Sequence, residues 1–101
     1  MSLPAVYRRK VGRDLAGAVG WYEDQRAGLG EEFLGAVEAS FDAIQEFPEM
    51  FAPLHGEVRR AVVSRFPYAV FYRIEPKRVV VLAVLHMARD PKLWPEPSKA
   101  R

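Results

Sequence analysis

At 101 residues, half of them hydrophobic, the chain is long enough for one domain around a single core and too short for two. It has no cysteine, which excludes a disulfide scaffold and thiolate metal sites and makes a reducing, cytoplasmic setting the expectation. A net charge of +2 with a pI near 9.2 suits nucleic acid or an acidic protein partner, and is also ordinary for a soluble domain.

The first ten residues place Arg8, Arg9 and Lys10 after a short apolar stretch instead of before a long one, so no signal peptide is expected. Val6 to Val11 reads as a short extended segment. Leu15, Ala18, Val19 and Tyr22 then recur at helical spacing, predicting a first helix from about Arg13 to Arg26, with Gly28 and Gly30 as its stop. A second helix carries Phe33, Leu34, Val37, Phe41 and Ile44 on one stripe and ends at Pro48. The short Ala27 to Gly30 connection forces the two into an antiparallel hairpin.

Pro48 to Gly56 is expected to be a loop anchored by Phe51 and Leu54. After it the period becomes two: Val58, Arg60 and Val62 share one face of a strand, and Arg59, Ala61 and Val63 the other. The next strand puts Tyr68, Val70, Tyr72 and Ile74 on one face and Ala69, Phe71 and Arg73 on the other. Glu75 to Arg78 turns the chain, and the unbroken apolar run Val79 to Leu85 predicts a central strand covered on both sides. That run is far too short to cross a bilayer, so no membrane association is expected. The tail from about Pro91, with three prolines, is expected to be irregular, with Trp94 as its docking residue.

The elements give β-α-α-β-β-β, a single α+β domain in which a helical hairpin packs on one face of a small twisted, mostly antiparallel sheet. Acidic residues such as Glu31, Glu38, Asp42 and Glu46 concentrate in the middle. Basic ones, from Arg8, Arg9, Lys10 and Arg13 to Arg59, Arg73 and Arg78, fall in the flanking extended segments, so an acidic helix and a basic sheet are expected. The sheet face away from the helices, lined by Arg60, Arg65, Arg73 and aromatics, is then left for a partner.

His86 ends the central strand and has two readings. It is either a general base with Arg89 orienting a phosphate, or a strut that satisfies a backbone group; no proton-transfer partner is visible, which favours the strut. Tyr68, Phe71 and Tyr72 interleave with Arg65 and Arg73 as in single-strand binders, but period two fits core packing better. Arg89 and Asp90 form a candidate local ion pair. Trp21 lies off its helix stripe, as a core flank or an interface residue. With two histidines 31 residues apart, no phosphate-binding glycine loop and no serine elbow, neither a metal nor another cofactor is expected.

The order Trp21-Tyr22-Glu23-Asp24-Gln25, Gly28-Leu29-Gly30, Phe33, Pro48, Arg65-Phe66-Pro67-Tyr68, Tyr72-Arg73, His86-Met87-Ala88-Arg89-Asp90-Pro91 and Trp94 resembles the RelE/ParE superfamily of type II toxins. The match runs from about Tyr7 to Trp94, and its Phe-Pro-Tyr and His-x-x-Arg-Asp elements are similar to the ParE branch. The resemblance implies the toxin of a plasmid-stabilisation type toxin-antitoxin pair, neutralised by a cognate antitoxin and inhibiting DNA gyrase by binding. The RelE alternative is ribosome-dependent cleavage of messenger RNA, for which Arg60, His86 and Arg89 are the catalytic candidates. Where those ribonucleases carry an arginine after the tyrosine, this chain has Ala69, a departure that leaves a binding toxin untouched. A third alternative is a non-toxic member that only binds its partner. The implied binding surface comprises Arg60, Arg65, Tyr72, Arg73, His86, Arg89 and Trp94.

Overall fold

The computed structural model describes residues 2–95, and in it the expected α+β arrangement is realised. A strand β1 (Ala5–Tyr7) leads into helices α1 (Arg9–Gln25) and α2 (Leu29–Glu46), followed by strands β2 (Pro53–His55), β3 (Val58–Val62), β4 (Tyr68–Glu75) and β5 (Arg78–His86). The sheet has five strands in the order β1-β5-β4-β3-β2, antiparallel except where β1 runs parallel to β5. A 3-10 turn, Pro91–Leu93, orders the start of the segment expected to be irregular. The rest of the expected tail, 96–101, lies outside the described residues.

Two elements depart from the expectation. Helix α1 begins at Arg9, so Val11 belongs to the helix and is 2% exposed, and Arg9 and Lys10 lie on a helix instead of an extended segment. Its start lacks the usual signals: Arg8 makes no side-chain cap, and the first turn holds no acid to oppose the helix dipole. Strand β2 occupies part of the expected loop, with Pro53 paired to Arg59 and a register irregularity before His55. A short edge strand bearing proline, which donates no ladder hydrogen bond, is a weak strand signal.

The helical hairpin is fixed by one carboxylate. Glu23 near the end of α1 accepts hydrogen bonds from the Gly28 amide (2.9 Å) and the Gly30 amide (3.0 Å), satisfying donors at the start of α2. Those two bonds hold the Glu23 carboxyl below the usual range. Gly28 has φ +89°, a left-handed conformation that favours glycine, and a Cβ at Gly30 would lie 2.8 Å from the Val19 carbonyl oxygen. The turn therefore takes glycine twice, once for conformation and once for closeness.

Both faces of the sheet are buried. Toward the helices, Ala61, Val63, Val70, Tyr72, Val79, Val81 and Val84 join Val11, Phe33, Val37 and Ile44. On the outer face, Val58, Ala69, Phe71, Val80, Leu82, Ala83 and Leu85 form a second cluster, with Leu54, Met87 and Trp94 packed on it. The outer face was expected to be open and basic; Trp94 instead covers part of it, its ring 5.4 Å from that of Phe71. Strand β5 is interior, as expected for an apolar run, although β4 holds the middle of the sheet.

The pairing of β4 with β5 slips by one residue. Phe71 faces Ala83 but Tyr72 faces Val81, which leaves Leu82 as the extra residue of a bulge. Side-chain alternation reverses there: Val79 and Val81 point at the helices before the bulge, and Val84 does so after it. The Val84 amide donates to the Asp14 carboxylate of α1 at 2.9 Å, and the other oxygen of that carboxylate takes the Lys10 ammonium at 2.8 Å.

An Asp14→Ala variant is expected to lose about 2 kcal/mol, because it leaves a strand amide without its charged acceptor, while Asp14→Asn, which keeps an oxygen, loses less. Chemical denaturation of the three proteins checks this. A loss below about 0.5 kcal/mol for Asp14→Ala would show that water replaces the carboxylate.

Candidate functional site

At the end of the sheet where β5 exits lies a cleft of about 210 Å³. Gly17, Ala18 and Trp21 of α1 form one wall, Tyr68 and His86 the base, and Arg89 and Asp90 the lip. The wall recedes because α1 is small-sided there; a Cβ at Gly17 would meet nothing within 4 Å. Trp21 is 45% exposed and stands edge-on to Tyr22 at 5.1 Å, so it flanks the core with the rest of its ring at the surface.

His86 is placed by the register. It pairs with Tyr68, and the two rings meet edge to face at 5.3 Å. Its Nδ1 accepts hydrogen bonds from the amides of Ala88 (3.1 Å) and Arg89 (3.0 Å). A nitrogen accepting from two amides carries no proton, so the neutral ring bears its hydrogen on Nε2 and offers a donor there. This geometry suits a strut and a fixed donor.

Arg89 does not pair with Asp90; its guanidinium lies 5.3 Å from the Trp21 ring centre. Asp90 instead uses its amide, which donates to the His86 carbonyl at 3.2 Å and closes the loop. Burial pushes the hydroxyls of both Tyr22 and Tyr68 up in pKa, and the Arg89 charge acts on each in the opposite direction. Two phenols and one arginine thus share a small electrostatic neighbourhood.

The other candidates of the sequence lie elsewhere. Arg60 sits over Trp94 at 5.4 Å on the outer face, whereas His86 and Arg89 belong to the helix side, so the sheet separates them. Arg65 adopts φ 71°, a left-handed conformation uncommon outside glycine, and stacks on Phe66 at 5.7 Å. Arg73 shares Glu75 with Arg78, and the two guanidinium groups hold the Glu75 carboxyl below its usual range. Tyr72 has no exposed surface to offer a partner: it is fully buried, and its hydroxyl donates to the Pro48 carbonyl at 2.6 Å. The structure therefore gathers His86, Arg89, Tyr68 and Trp21, and not Arg60, Arg73, Tyr72 or Trp94. Among the described residues no cluster of three or more potential metal ligands occurs, and no helix is long and apolar enough to cross a membrane.

The sequence model of the ParE toxin of type II toxin-antitoxin systems, parDE, matches residues 5–91. No curated protein matches significantly. Among solved structures, a chain described as "Chromosomal ParDE TA system from P. aeruginosa" superimposes with a TM-score of 0.74 at 16% identity. The superposition covers 84% of this chain and 96% of that one, a likeness of fold.

Burial raises the Tyr72 hydroxyl to about 12 from an ordinary value of 10.0. Between those pH values the folded protein keeps a proton that the unfolded chain has released, so stability is complete below pH 10 and falls as pH rises toward 12. The expected slope is about 1.4 kcal/mol per pH unit beyond that of Tyr72→Phe. Denaturant titrations of both proteins at several alkaline pH values measure it, and equal slopes would contradict the assignment.

Proposed function

Because the chain belongs to the ParE toxin family of type II toxin-antitoxin systems, we propose that it is the toxin of such a pair, held inactive in the cytoplasm by a cognate antitoxin and acting by binding DNA gyrase. The observation that carries the choice of binding over RNA cleavage is the separation of the ribonuclease candidates. Cleavage at a ribose 2′-hydroxyl needs a base, an acid and cations converging on one phosphate. Arg60 lies across the sheet from His86 and Arg89, and His86 spends its Nδ1 lone pair on two amides. Ala69, where an arginine would be needed, is completely buried on the outer face.

Binding asks less of the chain. A rigid end bearing an exposed Trp21, an Arg89 that pairs with no carboxylate among the described residues and a fixed imidazole donor is enough to recognise a partner surface. Arginine and tryptophan are the residue types that most often anchor protein interfaces.

Induction of the chain without its antitoxin is expected to arrest growth with filamentation and cleaved chromosomal DNA, while messenger RNA ends mapped by sequencing stay unchanged. Ribosome-dependent cuts in messages would replace this reading with the ribonuclease one. Normal growth at full expression would leave a partner-binding protein that is not a toxin.

A further inference from the structure

The cleft is rich in donors and nearly neutral. The Arg89 guanidinium makes no ion pair among the described residues and lies over the Trp21 ring at 5.3 Å from its centre. The His86 ring has its hydrogen on Nε2 because Nδ1 accepts from two amides. Tyr68 brings a hydroxyl to the base of the cleft, and the hydroxyl of Tyr22 lies within reach of the Arg89 charge. Against these donors stands a single acceptor charge, Asp90.

We propose that this cleft receives one carboxylate side chain of a protein partner, an Asp or Glu of the antitoxin, held by the Arg89 guanidinium with the His86 Nε2–H and the Tyr68 hydroxyl as neutral donors. The inference rests on the toxin-antitoxin reading and adds the chemistry of one contact. A planar guanidinium matches a carboxylate through two parallel hydrogen bonds. Against the phosphates of a nucleic acid stands Asp90 beside the one guanidinium: the cleft offers a single cation and little net charge, whereas a phosphate backbone is bound by a track of several uncompensated cations. A lone carboxylate satisfied mainly by hydrogen bonds tolerates that balance. The volume of about 210 Å³ also fits one acidic side chain better than a run of nucleotides. The exposed face of Trp21 beside it would take an apolar neighbour of that residue.

The test uses the full chain, the antitoxin encoded beside it, and affinities measured at several salt concentrations. Arg89→Ala is expected to weaken binding roughly tenfold or more and to flatten the salt dependence, with Arg89→Lys intermediate because it keeps the charge and loses the fork. Gly17→Leu is a second route: the space beside Gly17 is open, so the fold survives while the leucine fills the cleft, and binding should fall with Arg89 intact. Arg89→Glu should regain affinity only when one acidic residue of the antitoxin is changed to arginine. If wild type binds and both Arg89→Ala and Gly17→Leu bind within twofold of it, the cleft assignment is wrong while the pairing stands. If wild type fails to bind, the toxin-antitoxin reading falls and the assignment with it. Arg89-dependent binding of a single-stranded oligonucleotide, with antitoxin affinity unaffected, would assign the cleft to phosphate and overturn the proposal.

Discussion

The bond between the Asp14 carboxylate and the Val84 amide is the constraint on which the rest of this molecule depends. The bulge at Leu82 interrupts the ladder just before Val84, and an amide left without an acceptor in an apolar interior costs about 1–3 kcal/mol. Helix α1 supplies the acceptor from above, and Lys10 holds that acceptor's second oxygen. The helix is thereby pinned to β5 at one point along its length. That point sets where Gly17, Ala18 and Trp21 fall over the end of the sheet.

The bulge also decides which side of the sheet carries the site. Before it, odd-numbered residues of β5 face the helices, and after it even-numbered ones do. A regular strand would have sent His86 to the outer face with Val80 and Leu82, beside Trp94 and Arg60. With Leu82 inserted, His86 turns under α1 and meets Tyr68 and the loop that brings Arg89 to Trp21. Arg60, on a strand without such a slip, stays on the other side. One inserted residue therefore separates groups that a simple period-two strand would have placed on one surface.

These points explain what the sequence did and did not disclose. The two helical stripes and the alternation of Val58 to Val63 and of Tyr68 to Ile74 were legible because each keeps a clean period, and Val79 to Leu85 because its apolar run is unbroken. The bulge was not, because an unbroken run of valine, leucine and alanine has no polar residue to mark a change of phase. Val11 already stood at helical spacing from Leu15, Ala18 and Tyr22, but the uncapped, basic start of α1 hid the extension. Asp14 carried no signal, since nothing in a sequence tells which carboxylate will meet a strand amide 70 residues away. In the site, His86 and Arg89 stood out by position, whereas the stacking of Arg89 on Trp21 joins elements far apart in the chain. Three arginines, Arg60, Arg65 and Arg89, rest on aromatic rings, a habit visible only once the rings are placed.

The parallel pairing of β1 with β5 has a consequence in time. Ala5 finds Val79 only after more than seventy intervening residues have been made, and the Pro4 carbonyl waits for the Val79 amide as well. Contacts of such long sequence separation form late, because the loop entropy must be met before they return anything. During synthesis the first strand and the helical hairpin emerge with no sheet to lie on. The end of the molecule that holds the cleft is completed only when His86 and Arg89 have followed β5 out of the ribosome. A chain interrupted anywhere before β5 consequently lacks both the strand at the heart of its core and the His86 base of the cleft.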